Sequence, residues 1–248
     1  MPMNTVLAKQ LALDYCCTPE EVMDNANHFA IYRPLEGRRV YQEEKNCIFK
    51  ASVVHGKILI AGEKNIIEWC KERYSSDAGD WFFEFDNLKR IEAKLNENGY
   101  RIKMVHPFYI SDVISSVPDR SADLQWYEQD EIQRFRGDKR WGEAFSFSES
   151  APDVLGISAS VDGNIVAMAG ASRDSDSMWQ IGINVEKEYR GKGIATVLVT
   201  ALKNEVLRRG CLPFYGTAYS HLASQKVALS SGFVPAWAEL ATCKISKE

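Results

Sequence analysis

Three short apolar runs, residues 155–161, 165–171 and 178–185, follow one another with only tight polar turns between them. Asp162-Gly163-Asn164 joins the first two, and Gly163 readily takes the positive φ that a two-residue hairpin needs. Residues 172–177 form the second turn. The third run ends in Val185-Glu186-Lys187-Glu188-Tyr189-Arg190-Gly191-Lys192-Gly193-Ile194-Ala195-Thr196, a glycine-containing turn that opens an amphipathic helix. That helix buries Ile194, Leu198, Ala201, Leu202 and Val206 at helical spacing, places Arg208 and Arg209 in its last turn, and stops at Gly210. An antiparallel meander feeding a helix leaves few architectures open.

The glycine turn also carries chemistry. Gly191 and Gly193 have no side chains, so backbone N–H groups can close on a phosphate. The helix start adds unpaired donors and partial positive charge, and Arg190 and Lys192 add formal charge. Such a turn also occurs as a plain tight turn with solvated basic residues. The spacing excludes a P-loop, which needs Gly-x-x-x-x-Gly-Lys-Ser/Thr, and a dinucleotide fingerprint, which needs Gly-x-Gly-x-x-Gly. The stretch Arg190-Gly191-Lys192-Gly193-Ile194-Ala195 resembles the Arg/Gln-x-x-Gly-x-Gly/Ala signature of the GNAT superfamily of N-acetyltransferases. After a strand-like run at 212–218 comes His221-Leu222-Ala223-Ser224-Gln225-Lys226-Val227-Ala228-Leu229-Ser230-Ser231-Gly232-Phe233, similar to the family's second cofactor segment. The resemblance covers roughly residues 124–240 and implies an α/β (α+β) fold: a mixed, mostly antiparallel sheet flanked by helices, with a smaller N-terminal α/β domain.

Residues 1–112 read as mixed α/β. Val40, residues 47–54 and residues 57–61 have strand character, and 101–110 resumes it. Ile66, Ile67, Cys70 and Tyr74 lie on one helix face. Asp86 is placed to cap a second helix that buries Leu88, Ile91 and Leu95. The polar stretch 115–122, with Pro118, predicts a domain boundary, giving domains 1–117 and 118–248, the first of unassigned role or shaping the substrate pocket. In the second, residues 124–127 read as a short strand and Asp130-Glu131 open a short helix.

Composition closes off several functions. The net charge of −4 and the absence of a basic cluster argue against nucleic acid as a partner. Six cysteines without a Cys-x-x-Cys pair, and four histidines, predict no metal site and suit a reducing compartment. No run approaches the roughly 20 apolar residues of a membrane span, and the first nine residues lack a secretory apolar core, so a cytoplasmic location is expected.

The resemblance implies acetyl-CoA as cofactor and N-acetylation of an amine by direct attack, a small molecule being the expected acceptor. It implies a pantetheine arm alongside residues 178–185, with Ile183, Asn184 and Val185 as matching positions and the Ile183 N–H polarising the acetyl carbonyl. Arg190, Gly191, Lys192, Gly193, Ile194, Ala195 and Thr196 would hold the pyrophosphate, and His221 and Ser224 belong to the second cofactor segment. Two positions depart from the pattern: His221 stands where Asn is usual, and Ala228 where a Tyr commonly protonates the leaving thiolate. Gly216 stands where relatives place a carboxylate, leaving Asp176 and Tyr219 as candidates for acid–base work. Ala228 and Gly216 keep open a second reading, a coenzyme-A-binding regulatory or interaction module; a third is acylation of a protein or aminoacyl group, for which an open acidic groove is expected.

Overall fold

A computed structural model describes residues 4–39, 47–119 and 123–245, so Val40 and the last three residues of the 115–122 stretch lie outside the described residues. The chain divides into two compact units, Met1–Phe108 with Ala236–Glu248, and Tyr109–Pro235. This differs from a single break at 117/118. The chain leaves the first unit after Phe108 and returns to it after Pro235, because its last strand pairs with a strand of that unit.

The first unit contains α1 (Thr5–Tyr15), α2 (Pro19–Met23), β1 (His28–Ile31), β2 (Phe49–Val54), β3 (Lys57–Gly62), α3 (Lys64–Tyr74), α4 (Phe85–Asn96) and β4 (Tyr100–Ile110), whose last two residues enter the second unit. α1 starts where the Asn4 side chain accepts from the N–H groups of Val6 and Leu7, and it buries Leu7, Ala8, Leu11, Ala12 and Tyr15. α3 buries Ile66, Ile67, Cys70 and Tyr74, the expected face. The second helix starts two residues earlier than Asp86 suggests: Glu84 is the N-cap, without a side-chain cap bond. Ile91 and Leu95 join α3 and β2–β3 in one apolar cluster, each fully buried side chain of this size contributing about 1.5–3 kcal/mol. Arg39 is buried between Asp14 (2.6 Å) and Glu239 (3.1 Å) and lies over the Trp237 ring. It ties α1 to the returning strand, since one guanidinium bonds a carboxylate on each.

The second unit runs through β5 (Asp123–Glu128), α5 (Gln129–Ile132), β6 (Asp153–Val161), β7 (Asn164–Arg173), β8 (Met178–Val185), α6 (Ile194–Arg208), β9 (Leu212–Gly216) and α7 (Leu222–Ser230). β10 (Val234–Lys244) follows and, from Ala236 on, belongs to the first unit, between β2 and β4. Within the second unit the strand order is β9-β8-β7-β6-β5, antiparallel except for the β8–β9 pair. Asp162 and Gly163 both have positive φ (50° and 75°), matching the right-handed twist of the hairpin they close. α6 packs Ile194, Leu198, Ala201, Leu202 and Val206 onto one face of this sheet. No helix among the described residues is long and apolar enough to cross a membrane.

Candidate functional site

The glycine turn after β8 is built by backbone conformation. Gly191 and Gly193 sit at φ 75° and 82°, a region costly for any residue with a Cβ, and Gly193 is the N-cap of α6. α6 makes its first backbone bond from Val197 to the Gly193 carbonyl. Among the described residues, the N–H groups of Gly191, Lys192, Gly193, Ile194, Ala195 and Thr196 have no protein acceptor. Unpaired donors in a row at the positive end of a helix are what an anion requires. Arg190 donates to the Val185 carbonyl at 3.0 Å, and the Lys192 ammonium lies 4.7 Å from the Tyr189 ring centroid.

β8 is paired with β7 from Trp179 to Val185, but with β9 only at Met178, Trp179 and Gln180. Although β9 runs on to Gly216, no strand pairing is found on that edge beyond Gln180 among the described residues, which leaves the main chain of Ile181–Val185 unpaired on the β9 side. Strand alternation then divides the residues between two faces. Ile181, Ile183 and Val185 pack into the α6 cluster, and Gln180, Gly182 and Asn184 face the other way.

That second face is shaped by a row of glycines. Gly156 pairs with Gly170 and Gly170 with Gly182, so three adjacent strands lack side chains at one level. The segment at 143–145 lies directly in the trough. A methyl at Gly182 would fall 1.8 Å from the Glu143 carbonyl oxygen, one at Gly170 2.0 Å from the Ala144 oxygen, and one at Gly156 2.8 Å from the Phe145 ring. Asn184 Oδ1 accepts from the N–H groups of Glu143 (2.9 Å) and Ala144 (2.8 Å). The buried Asp153 carboxylate accepts from Ser146 and Phe147 at the other end (3.3 and 2.7 Å), and its burial pushes its pKa up. Trp141, Phe145, Phe135 and Tyr127 pack beneath the segment.

Of the residues singled out from sequence, Ile183, Val185 and the run 190–196 come together at the C-terminal end of β8 and the start of α6. Asn184 lies there too, but its side chain is committed to the 143–144 segment. Asp176 is brought nowhere near them. It lies before the opposite end of β8, and the strand from Met178 to Ile183 alone spans roughly 17 Å at about 3.3 Å per residue. Tyr219 follows β9 and is about half exposed (52%). Its hydroxyl pKa is raised by burial and by the neighbouring Tyr109. His221 is the exposed N-cap residue of α7 and makes no side-chain cap bond. Ser224 bonds the hydroxyl of Tyr215 on β9 at 2.9 Å. Ala228 is sealed in the core, in one cluster with Tyr215 and Phe233. Sequence reasoning missed Glu143, Tyr215 and the glycine row, which become visible only once the strand register is known.

The family model for GNAT acetyltransferases matches residues 42–236, beginning well upstream of the motif-bearing segment. Among solved structures, a GCN5-related N-acetyltransferase-like protein from Streptococcus suis 89/1591 is 15% identical, with 95% of this chain and 97% of that one covered at a TM-score of 0.49. A GCN5-related N-acetyltransferase from Kribbella flavida is 16% identical over 62% and 63% (TM-score 0.47). An acetyltransferase of the GNAT family from Colwellia psychrerythraea is 16% identical over 62% of each chain (TM-score 0.44). No curated protein matches the chain.

Proposed function

This chain belongs to the GNAT acetyltransferase family, and from that premise we propose that it moves the acetyl group of acetyl-CoA to the nitrogen of an amine, a small molecule being the acceptor. The observation that carries this reading is the run of six N–H groups, residues 191–196, at the start of α6, without an acceptor among the described residues. A pyrophosphate satisfies them without a metal. The open edge of β8 offers main-chain groups to the amide-bearing arm of the same molecule, as an added strand would. When bound, acetyl-CoA supplies an acetyl group already activated as a thioester.

The chain's own residues then have defined tasks. Gly191–Thr196 hold the phosphates, with Arg190 and Lys192 adding positive charge. The N–H of Ile183 polarises the acetyl carbonyl as negative charge develops on its oxygen. Ala228 has no proton to give and no exposure from which to give it, so no acid acts from that position. General acid catalysis is typically worth about 10²–10⁴-fold, so slow turnover is the expected outcome. Proximity and carbonyl polarisation still operate.

The test has two arms. Acetyl-CoA should raise the melting temperature of the protein, and a panel of amines, peptides and aminoglycosides should include acceptors that release the thiol. Stabilisation with no acceptor anywhere in the panel would favour a coenzyme-A-binding module. No stabilisation would sink the assignment of the cofactor site.

A further inference from the structure

We propose that Glu143 is the catalytic base that takes the proton from the acceptor amine. The inference rests on the acetyl-transfer reading and supplies the carboxylate that β9, with Gly216, lacks.

Three observations place Glu143 there. Its main chain is pinned on the trough at Gly182, next to Ile183, by two bonds to Asn184 and by the glycine row. It stands on the face opposite α6, whose N-terminal turn takes the phosphates in this reading. An amine approaching the open β8 edge from the side that α6 leaves free therefore arrives beside Glu143. Finally, the charge of Glu143 reaches β9. The Tyr215 hydroxyl there has its pKa raised by burial, lowered by its bond to Ser224 and raised again by the charge of Glu143. Glu143 itself is exposed, which suits a group that must exchange its proton with water.

The balance of the step is simple. The amine nitrogen forms the new C–N bond with its lone pair and loses one proton to a Glu143 oxygen, which passes it to water. The thioester C–S bond breaks, its electron pair leaves on sulfur, and the sulfur takes a proton from water. Asn184 acts as a positioning residue, since its amide oxygen fixes the main chain that carries Glu143.

The experiment compares wild type, Glu143→Gln and Glu143→Asp in the full chain, using the best amine of the panel. Thiol release is followed across pH, and calorimetry measures binding of acetyl-CoA and, without it, of the amine. Glu143→Gln should lower kcat by about 10²-fold or more and remove the acidic limb of its pH profile. Affinity for acetyl-CoA should stay unchanged, and the amine should bind more weakly to the cofactor-free protein. Glu143→Asp should restore part of the rate and the acidic limb. A Gln variant with kcat within threefold of wild type, or one that changes only the amine KM, overturns the base assignment. So does unchanged amine binding to the cofactor-free Gln variant. If wild type acetylates nothing, the functional reading falls and takes this one with it. An active wild type with an equally active Gln variant sinks the base alone.

Discussion

Two regions of the second unit depend on glycine for opposite reasons. In the turn before α6, Gly191 and Gly193 are needed for their backbone angles, at φ 75° and 82°, and a methyl on Gly191 would meet nothing within 4 Å. In the trough across β6, β7 and β8, the glycines lie in regular, paired strand, and a methyl would strike neighbouring main chain or an aromatic ring. The first region uses glycine for conformation and leaves N–H groups open to a ligand. The second uses it for space and lets another segment of the same chain lie on the sheet. A missing side chain therefore marks a ligand position only where the backbone donors beside it are also unpaired.

Substitutions can break this contrast, and the largest effect belongs to the trough. Gly182→Ala puts a methyl into the Glu143 carbonyl, and overpacking against main chain costs about 3 kcal/mol. Chemical denaturation should show a loss of that order together with a collapse of acetyl transfer. A loss below about 1 kcal/mol would mean that the 143–145 segment moves freely away.

Gly193→Val comes next. A β-branched residue in left-handed conformation costs about 2 kcal/mol, and its bulk at the helix start should abolish the melting shift produced by acetyl-CoA. A shift equal to that of wild type would remove the phosphate assignment.

Asn184→Ala separates bonding from space in holding Glu143. It deletes the one oxygen that accepts both bonds but leaves the trough intact, so a loss of about 1–2 kcal/mol is expected. kcat should fall while acetyl-CoA affinity is kept. An unchanged kcat would show that the glycines alone position the segment.

Gly191→Ala should have the smallest effect. Only backbone strain opposes it, about 1 kcal/mol, and the acetyl-CoA shift should diminish rather than vanish. A loss as large as for Gly182→Ala would erase the distinction between the two regions.

The same contrast explains how far the sequence could be read. Hairpin, meander, helix and glycine turn depend on neighbours within a few residues, so periodicity and turn chemistry were enough to find β6, β7, β8 and α6, and the buried face of α3. The run proposed to bind phosphate was recognisable for the same reason: its donors are consecutive. α1 carries local signals too, in Asn4 and the spacing of Leu7, Leu11 and Tyr15.

What the sequence determined by itself was this local inventory and the family, through two motifs at a fixed distance. Tertiary structure alone decided the assignment of β10, whose pairing with β2 joins residues nearly the whole chain apart. It decided the trough as well, because Gly156, Gly170 and Gly182 become one feature only through inter-strand register. Only the fold brings Glu143 beside Gly182. Local rules act over a turn of helix or a hairpin. Which distant residues share a site depends on pairing and packing that no window of sequence contains.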